Sequence, residues 1–286
     1  MTEKRYLPDP TRVSILTAVV LLAFALTRVS ILTAVVLLAF ALTRVISAPH
    51  YDFTIALLGL YLTLSLNLDT LIVLLAAGLT AAGVDWLLRT HPSLEKGETR
   101  EHWLLPTLTV LVVGVALYTL PPTAVWWLGF GLGAAILLTV FFAEFVAVDP
   151  ADSRYPFATA ILTVLAFVIF LILAIALKAS NARLLLVAPA LCVGGGLVAL
   201  RTLHLRLNER WETPWAIGIA IIIVQLGAAL YYMPLTPVRF GLALIGPLYT
   251  LTALAVSLVD GQPFRQAIVE PMVMLALLCG LMIWFH

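Results

Sequence analysis

The chain has 286 residues, of which 63% are hydrophobic and 11% are charged, and its formal net charge is +1. Soluble globular domains carry about 25% charged residues, so this composition excludes an ordinary water-soluble domain. The nearly neutral charge provides no strong field that would favour a nucleic acid or an acidic partner. Apolar runs of about 20 residues, the length of a membrane-crossing helix, recur along the chain. We therefore predict an all-α, polytopic bundle of transmembrane helices surrounded by membrane lipids.

The ends and cysteines of the chain predict one membrane domain. Cys192 and Cys279 both lie inside apolar runs, which argues against a disulfide framework or a zinc cluster. Basic residues precede the first apolar run, but no small-residue cleavage site follows them, so no secretory signal is predicted. We predict a polar N-terminal segment at 1–10 and a single transmembrane helical domain at 11–286.

An identical tandem repeat occupies residues 11–42. The segments 11–26 and 27–42 both read TRVSILTAVVLLAFAL. Structural repeats normally diverge, so an identical pair indicates a recent duplication or an error in the sequence. One helix through both copies would place Arg28 near its middle, at a cost of about 2.5–3.5 kcal/mol. We expect the second copy to cross the membrane. The first copy would be a protruding helical extension, or would tilt so that Arg28 reaches an interface.

The remaining apolar runs follow in chain order. A short run at 53–66 precedes a full-length run at 70–88. Proline-containing breaks separate several of the runs that come later. With the first span, the prediction is about ten spans, with nine as the alternative. The later runs are 103–120, 124–148, 157–177, 183–203, 214–233, 238–258 and 267–285.

Basic residues in the loops predict the orientation. The loops 89–101 and 201–212 are separated by four predicted spans, so both lie on one side of the membrane. The positive-inside rule makes that side the cytoplasmic face of a bacterial inner membrane. The N-terminus lies on the same side only if 11–88 crosses an even number of times. Two alternatives therefore stay open: either 53–66 is re-entrant, or the N-terminus lies outside. The basic residues are Lys4, Arg5 and Arg12 at the N-terminus, and Arg89, Lys96, Arg100, Arg201, Arg206 and Arg210 in the two loops.

Polar residues inside or near the apolar runs are the candidate functional residues, because such groups are costly at membrane depth. Glu144 lies four residues before the end of its run, Glu270 lies about one turn into the last run, and Gln225 lies near the middle of its run. A proton-coupled transporter would use such carboxylates. The alternative is that these residues reach an interface or pair helices.

The stretch from Ala143 to Pro156 is the most distinctive polar segment. Its Asp149, Asp152 and Arg154 predict a local charge cluster at the membrane surface. A calcium loop would need more oxygen ligands at alternating positions, so the alternative is an ordered interfacial turn. No metal site or cofactor is predicted. The five histidines lie in loops or at run ends, which argues against a haem or pigment site in the bundle: His50, His91, His102, His204 and His286.

Two glycine motifs, Gly129-x-x-x-Gly133 and 194–196, predict close helix packing. The alternative for these glycines is an unwound segment at a substrate site. No hydrolase elbow, nucleotide-binding loop or zinc-protease motif occurs, so no catalytic residue is predicted.

Four segments carry a resemblance to a family of polytopic bacterial membrane proteins of unknown function. They are Asp85-Trp86-Leu87-Leu88-Arg89 with His91-Pro92, Glu101 to Pro106, Ala143 to Pro156, and Tyr231 to Leu235. The resemblance covers nearly everything from residue 27 onward. It implies a polytopic membrane protein and no particular activity.

Three functional hypotheses follow. The first is a non-catalytic structural or accessory subunit of a bacterial inner-membrane assembly, with other membrane-protein subunits as partners. The second is a secondary transporter or channel that uses the intramembrane carboxylates. The third is a lipid-modifying enzyme that uses the charged residues of 144–154.

Overall fold

The structure is a computed structural model that describes residues 29–41, 51–57, 60–66, 68–88, 102–121, 123–149, 153–207 and 210–284. A first helix is followed by a two-stranded sheet and by a long series of helices. The elements are α1 Val29–Ala41, β1 Tyr51–Leu57, β2 Leu60–Leu66, α2 Leu68–Leu88, α3 Leu104–Thr119, α4 Ala124–Val146, α5 Tyr155–Ala179, α6 Leu184–Arg206, α7 Thr213–Tyr231, α8 Pro237–Val259, α9 Phe264–Ala267 and α10 Val269–Trp284.

The helices confirm the predicted all-α bundle. Seven described helical segments are long and apolar enough to cross a membrane, and α1 and α3 are shorter apolar helices. These nine segments correspond to nine of the ten predicted runs. The second repeat copy forms α1, whereas the first copy lies outside the described residues.

The run at 53–66 does not form a helix. Its residues belong to an antiparallel hairpin in which Phe53 pairs with Leu64 and Thr54 pairs with Thr63. The run at 53–66 is therefore not a tenth helix, and the nine apolar helical segments of the described residues agree with the predicted alternative of nine. The residues LYLTLSL of β2 alternate with a period of two, which favours a strand over a helix. A two-stranded sheet has two open edges, and unpaired edges are not stable in hydrocarbon.

The first two helices run antiparallel. Leu32, near the start of α1, packs against Gly83, near the end of α2. Phe40, near the end of α1, and Val73, near the start of α2, both pack against Gly114 of α3. The start of α1 therefore lies at the same end of the bundle as the end of α2. This placement agrees with two helical passes, α1 and α2, between the start of α1 and the end of α2.

Two apolar cores hold the described helices together. The larger core contains fully buried side chains of α5 to α8, including Phe170, Leu191, Ile223 and Phe240. The smaller core joins α1 to α4. Over its most apolar window, α5 is 56% buried, whereas the segment Phe264–Leu281 is only 11% buried. Therefore α5 is central in the bundle and α10 is peripheral.

Both predicted glycine motifs lie at helix contacts. In α4, Gly133 packs against Val113 of α3, and Gly129 packs against Leu120. In α6, Gly194 packs against Leu173 of α5, while Gly196 faces Ala220 of α7. Because α6 is helical from Leu184 to Arg206, the alternative of an unwound segment at 194–196 is wrong. These glycines allow close approach of neighbouring helices.

We expect Gly133→Ala to lower the free energy of unfolding by about 1–3 kcal/mol, the usual cost of overpacking. A Cβ at Gly133 would lie 2.6 Å from Cγ1 of Val113. The matched control is Gly131→Ala in the same helix, where a Cβ would have no neighbour within 4 Å. Thermal unfolding in mild detergent, followed by tryptophan fluorescence, measures both variants. Equal losses in the two variants would contradict the packing role of Gly133.

Candidate functional site

Three polar side chains meet at one end of the bundle. His102 lies two residues before α3, Glu144 lies in the last turn of α4, and Arg201 lies near the end of α6. We call these residues the polar triad and this end of the bundle the triad end. The antiparallel order of the helices brings the start of α3 and the ends of α4 and α6 to this end.

The triad is held by hydrogen bonds to both oxygens of Glu144. Arg201 Nε donates to Oε1 at 3.2 Å, and Arg201 Nη2 donates to Oε2 at 2.5 Å. His102 Nδ1 lies 2.9 Å from the same Oε2. The exposed fractions of Glu144, Arg201 and His102 are 1%, 2% and 7%, so all three are buried. Arg201 therefore binds the carboxylate of Glu144 through two hydrogen bonds, at a position that has almost no contact with water.

The bonding pattern assigns the hydrogens of the triad. A guanidinium has only donors, and it pairs with an ionised carboxylate, so Oε2 of Glu144 is an acceptor. The contact of 2.9 Å then requires the hydrogen of a neutral His102 ring to be on Nδ1. Arg201 Nη2 also lies 3.4 Å from this nitrogen, where two donors face each other. With a neutral imidazole, the triad has no net charge.

The helix ends explain why Glu144 needs these partners. The C-terminal end of a helix has a partial negative charge, which disfavours a carboxylate and favours a cation. Glu144 lies near the C-terminal end of α4, and Arg201 lies near that of α6. The α4 dipole therefore adds to the cost of burying Glu144. The two donors, Arg201 and His102, offset both costs.

Among the described candidate residues, Glu144 alone is buried. Asp149 is partly buried after α4, and Arg154 is exposed just before α5. Gln225 is exposed on α7, and Glu270 is exposed on α10, where it accepts a hydrogen bond of 3.3 Å from Tyr249. The predicted cluster of Asp149, Asp152 and Arg154 is not tested as a whole, because Asp152 lies outside the described residues.

Arg201 and His102 are not among the functional residues predicted from the sequence. The predicted loop 201–212 overlaps the predicted run 183–203 at Arg201, and the loop boundary is wrong because 201–206 belongs to α6. His102 is predicted only as a residue at the end of a run. The sequence carries one signal for the pair, since an arginine inside an apolar run is often paired with a carboxylate at similar depth. Glu144 lies at the same end of a neighbouring run.

The end of α6 carries further buried polar side chains. His204 is 3% exposed, and its ring lies 4.7 Å from the ring of Trp211. The hydroxyl of Thr202 is buried, without a hydrogen-bond partner among the described residues. Together with Arg201, these residues make the triad end the more polar part of α6.

A lysine organises the opposite end of the bundle. Lys178 Nζ, near the end of α5, donates to the backbone oxygen of Tyr231 at 2.5 Å and lies 3.4 Å from that of Met233. It also lies 4.9 Å from the ring centre of Tyr231 and 5.6 Å from that of Phe240. The last carbonyls of a helix have no hydrogen-bond donor within the helix, and the ammonium group of Lys178 supplies one at the end of α7. Lys178 therefore links α5 to α7.

The geometry favours charge pairing over metal binding at the triad. Both oxygens of Glu144 already accept hydrogen bonds from Arg201, which leaves a cation no unshared carboxylate. Within the described ranges, no group of three or more His, Cys, Asp or Glu side chains is arranged to hold a metal ion. The arrangement joins the start of α3 to the ends of α4 and α6.

We expect Glu144→Gln to lower the free energy of unfolding by about 3–5 kcal/mol, since it leaves the buried charge of Arg201 without a counter-charge. The matched control is Glu270→Gln, which changes an exposed carboxylate with one hydrogen bond. The control should shift stability by no more than about 0.5 kcal/mol. Reversible unfolding in mixed micelles measures both variants. A triad variant as stable as the control would contradict the structural role of the salt bridge.

Comparisons with known proteins identify a family and no nearer relative. Curated proteins and solved structures gave no match. A family described as "Protein of unknown function (DUF5656)" matches residues 48–285. The match starts after α1, so the resemblance does not extend back to residue 27, and the tandem repeat lies outside it. All three triad residues lie within the match, and the chain belongs to this family of unknown function.

Proposed function

We propose that this chain is a multi-pass integral membrane protein that acts as a non-catalytic structural or accessory subunit of a bacterial inner-membrane assembly. The closed polar triad is the observation that carries the proposal. Glu144 and Arg201 are 1% and 2% exposed, and they satisfy each other through two hydrogen bonds. A catalytic or transport carboxylate must meet a substrate or an ion. This carboxylate meets the side chains of two neighbouring helical segments.

The structural role follows from where the triad lies. The charges of Glu144 and Arg201 neutralise each other. The hydrogen bonds among the three side chains hold the start of α3 against the ends of α4 and α6. Buried ionic groups contribute little net stability compared with apolar packing, but breaking one partner is strongly destabilising. Such a group therefore specifies one arrangement of helices. A defined arrangement is what a subunit needs in order to present a constant surface to its neighbours.

We further propose that the triad end faces the cytoplasm. More basic residues lie in the connections at this end than at the opposite end, and the positive-inside rule assigns the basic side to the cytoplasm. Among the described residues, Arg154, Arg206, Arg210 and Arg265 lie at the triad end, and Lys178, Arg183 and Arg239 lie at the opposite end. In the sequence, Arg89, Lys96 and Arg100 stand between the end of α2 and the start of α3.

Purification of a tagged chain from its native membranes in mild detergent tests the subunit proposal. We expect other membrane proteins to accompany it in fixed ratio, as measured by mass spectrometry of the intact complex. An untagged strain purified in parallel is the control for non-specific material. A tagged chain that emerges without any other protein would contradict the subunit proposal.

A secondary transporter is the second candidate, and His102 is the observation that favours it. Its side chain is 9% exposed and contacts the buried carboxylate of Glu144, so the imidazole offers a route for protons between the surface and the triad. Proton-coupled flux in liposomes tests this candidate. Transport that survives in Glu270→Gln but is lost in a folded Glu144→Gln protein would favour the transporter. Absence of flux over a broad substrate panel would count against it.

A further inference from the structure

The outer face of α7 carries a polar side chain that the bundle does not cover. Gln225 is exposed, and its neighbours on the same face include Ile221 and Ile222, which are 50% and 40% exposed. We propose that this face is the interface between two copies of the chain, in which the two Gln225 amides bind each other. The inference rests on the membrane location proposed above, but it does not depend on the presence of other subunits.

The depth of Gln225 gives the first argument. It lies twelve residues after the start of α7 at Thr213 and six residues before its end at Tyr231. At 1.5 Å per residue, these separations are about 18 Å and about 9 Å. The amide therefore lies within the hydrocarbon layer if α7 crosses the membrane. Lipid tails have no group that hydrogen-bonds an amide, so a protein partner is favoured at this position.

The surface beside Gln225 gives the second argument. Gly218 lies two turns before Gln225 on the same face, and a Cβ there would have no neighbour within 4 Å. Gly218 borders a cleft of about 360 Å³ between α7 and α8. The cleft is mostly apolar, and its walls include Pro214, Trp215, Gly218, Ile222, Leu251 and Leu254. A small residue beside an open cleft permits close approach of a second helix.

The chemistry of the amide favours a second copy over another protein. An amide has both donors and acceptors, so two identical amides can satisfy each other across a two-fold axis. Two copies inserted in the same orientation always place Gln225 at equal depth. A different protein would need a suitable polar group at that same depth. A second copy of the chain meets this condition without any further requirement, because its own Gln225 lies at that depth.

Disulfide cross-linking in the membrane tests the interface. The background is the full chain with Cys192→Ala and Cys279→Ala, and the probe is Ile221→Cys, which leaves Gln225 in place. Oxidation should give a product of twice the chain mass. The matched control is Leu132→Cys on an exposed face of α4, where Leu132 is 62% exposed. The control should stay monomeric under the same oxidation.

Three outcomes would overturn the inference. They are an Ile221→Cys probe that stays monomeric, a probe that cross-links to a different protein, and a control that cross-links equally well. These outcomes are separate from those of the subunit proposal. A dimer without other proteins would leave this inference standing and remove the subunit proposal. Cross-linking of the probe to a co-purifying protein would do the opposite.

Affinity measurements give an independent test. Gln225→Leu should weaken dimerisation about 3- to 30-fold, the range expected for polar contacts between membrane helices. Gly218→Leu should also weaken dimerisation, because the leucine side chain would occupy the space into which the helix of the second copy packs. The matched control is Gly131→Leu on α4, another glycine with no neighbour within 4 Å of its Cβ position. Single-molecule photobleaching at several protein-to-lipid ratios measures all three. Unchanged affinity in Gln225→Leu would overturn the amide pairing.

Discussion

The salt bridge between Glu144 and Arg201 is the interaction on which the triad end of the bundle depends. It joins α4 to α6, and His102 adds the start of α3 through the same carboxylate oxygen. Each charge alone would be very costly among apolar helices, so each requires the other. The remaining contacts described between helices are mostly apolar. The buried ion pair adds a directional constraint to this packing, because both charges are satisfied only when α4 and α6 are aligned as they are.

Hydropathy was sufficient to predict the helices, because a membrane-crossing helix needs a long apolar run with few charges. Seven described helices satisfy that condition, α1 and α3 are shorter apolar helices, and the glycines that pack α4 and α6 are recognisable as motifs in the sequence. Hydropathy alone gives the wrong prediction for the run at 53–66. It averages over a window of residues and does not register whether apolar residues recur with the period of a helix or of a strand. The alternation in LYLTLSL distinguishes a strand from a helix, and it was the neglected signal.

The site was predicted only in part because contacts between distant helices are not visible along the chain. Glu144 was selected from its position in an apolar run, but its partners are 42 and 57 residues away in sequence. Arg201 was counted among the loop residues 201–212 although it also lies inside the predicted run 183–203, and His102 lies just outside the predicted run 103–120. Gln225 illustrates the opposite case. The sequence placed it at membrane depth, and only the structure shows that it faces outward.

A double-mutant cycle on Glu144→Gln and Arg201→Met tests the central claim most directly. The glutamine and methionine side chains of the double variant leave no unpaired charge, so the double variant should be more stable than either single variant. We expect a coupling energy of at least about 2 kcal/mol between the two positions. Losses that simply add, with no coupling, would show that the two side chains do not form the buried pair on which this account is built.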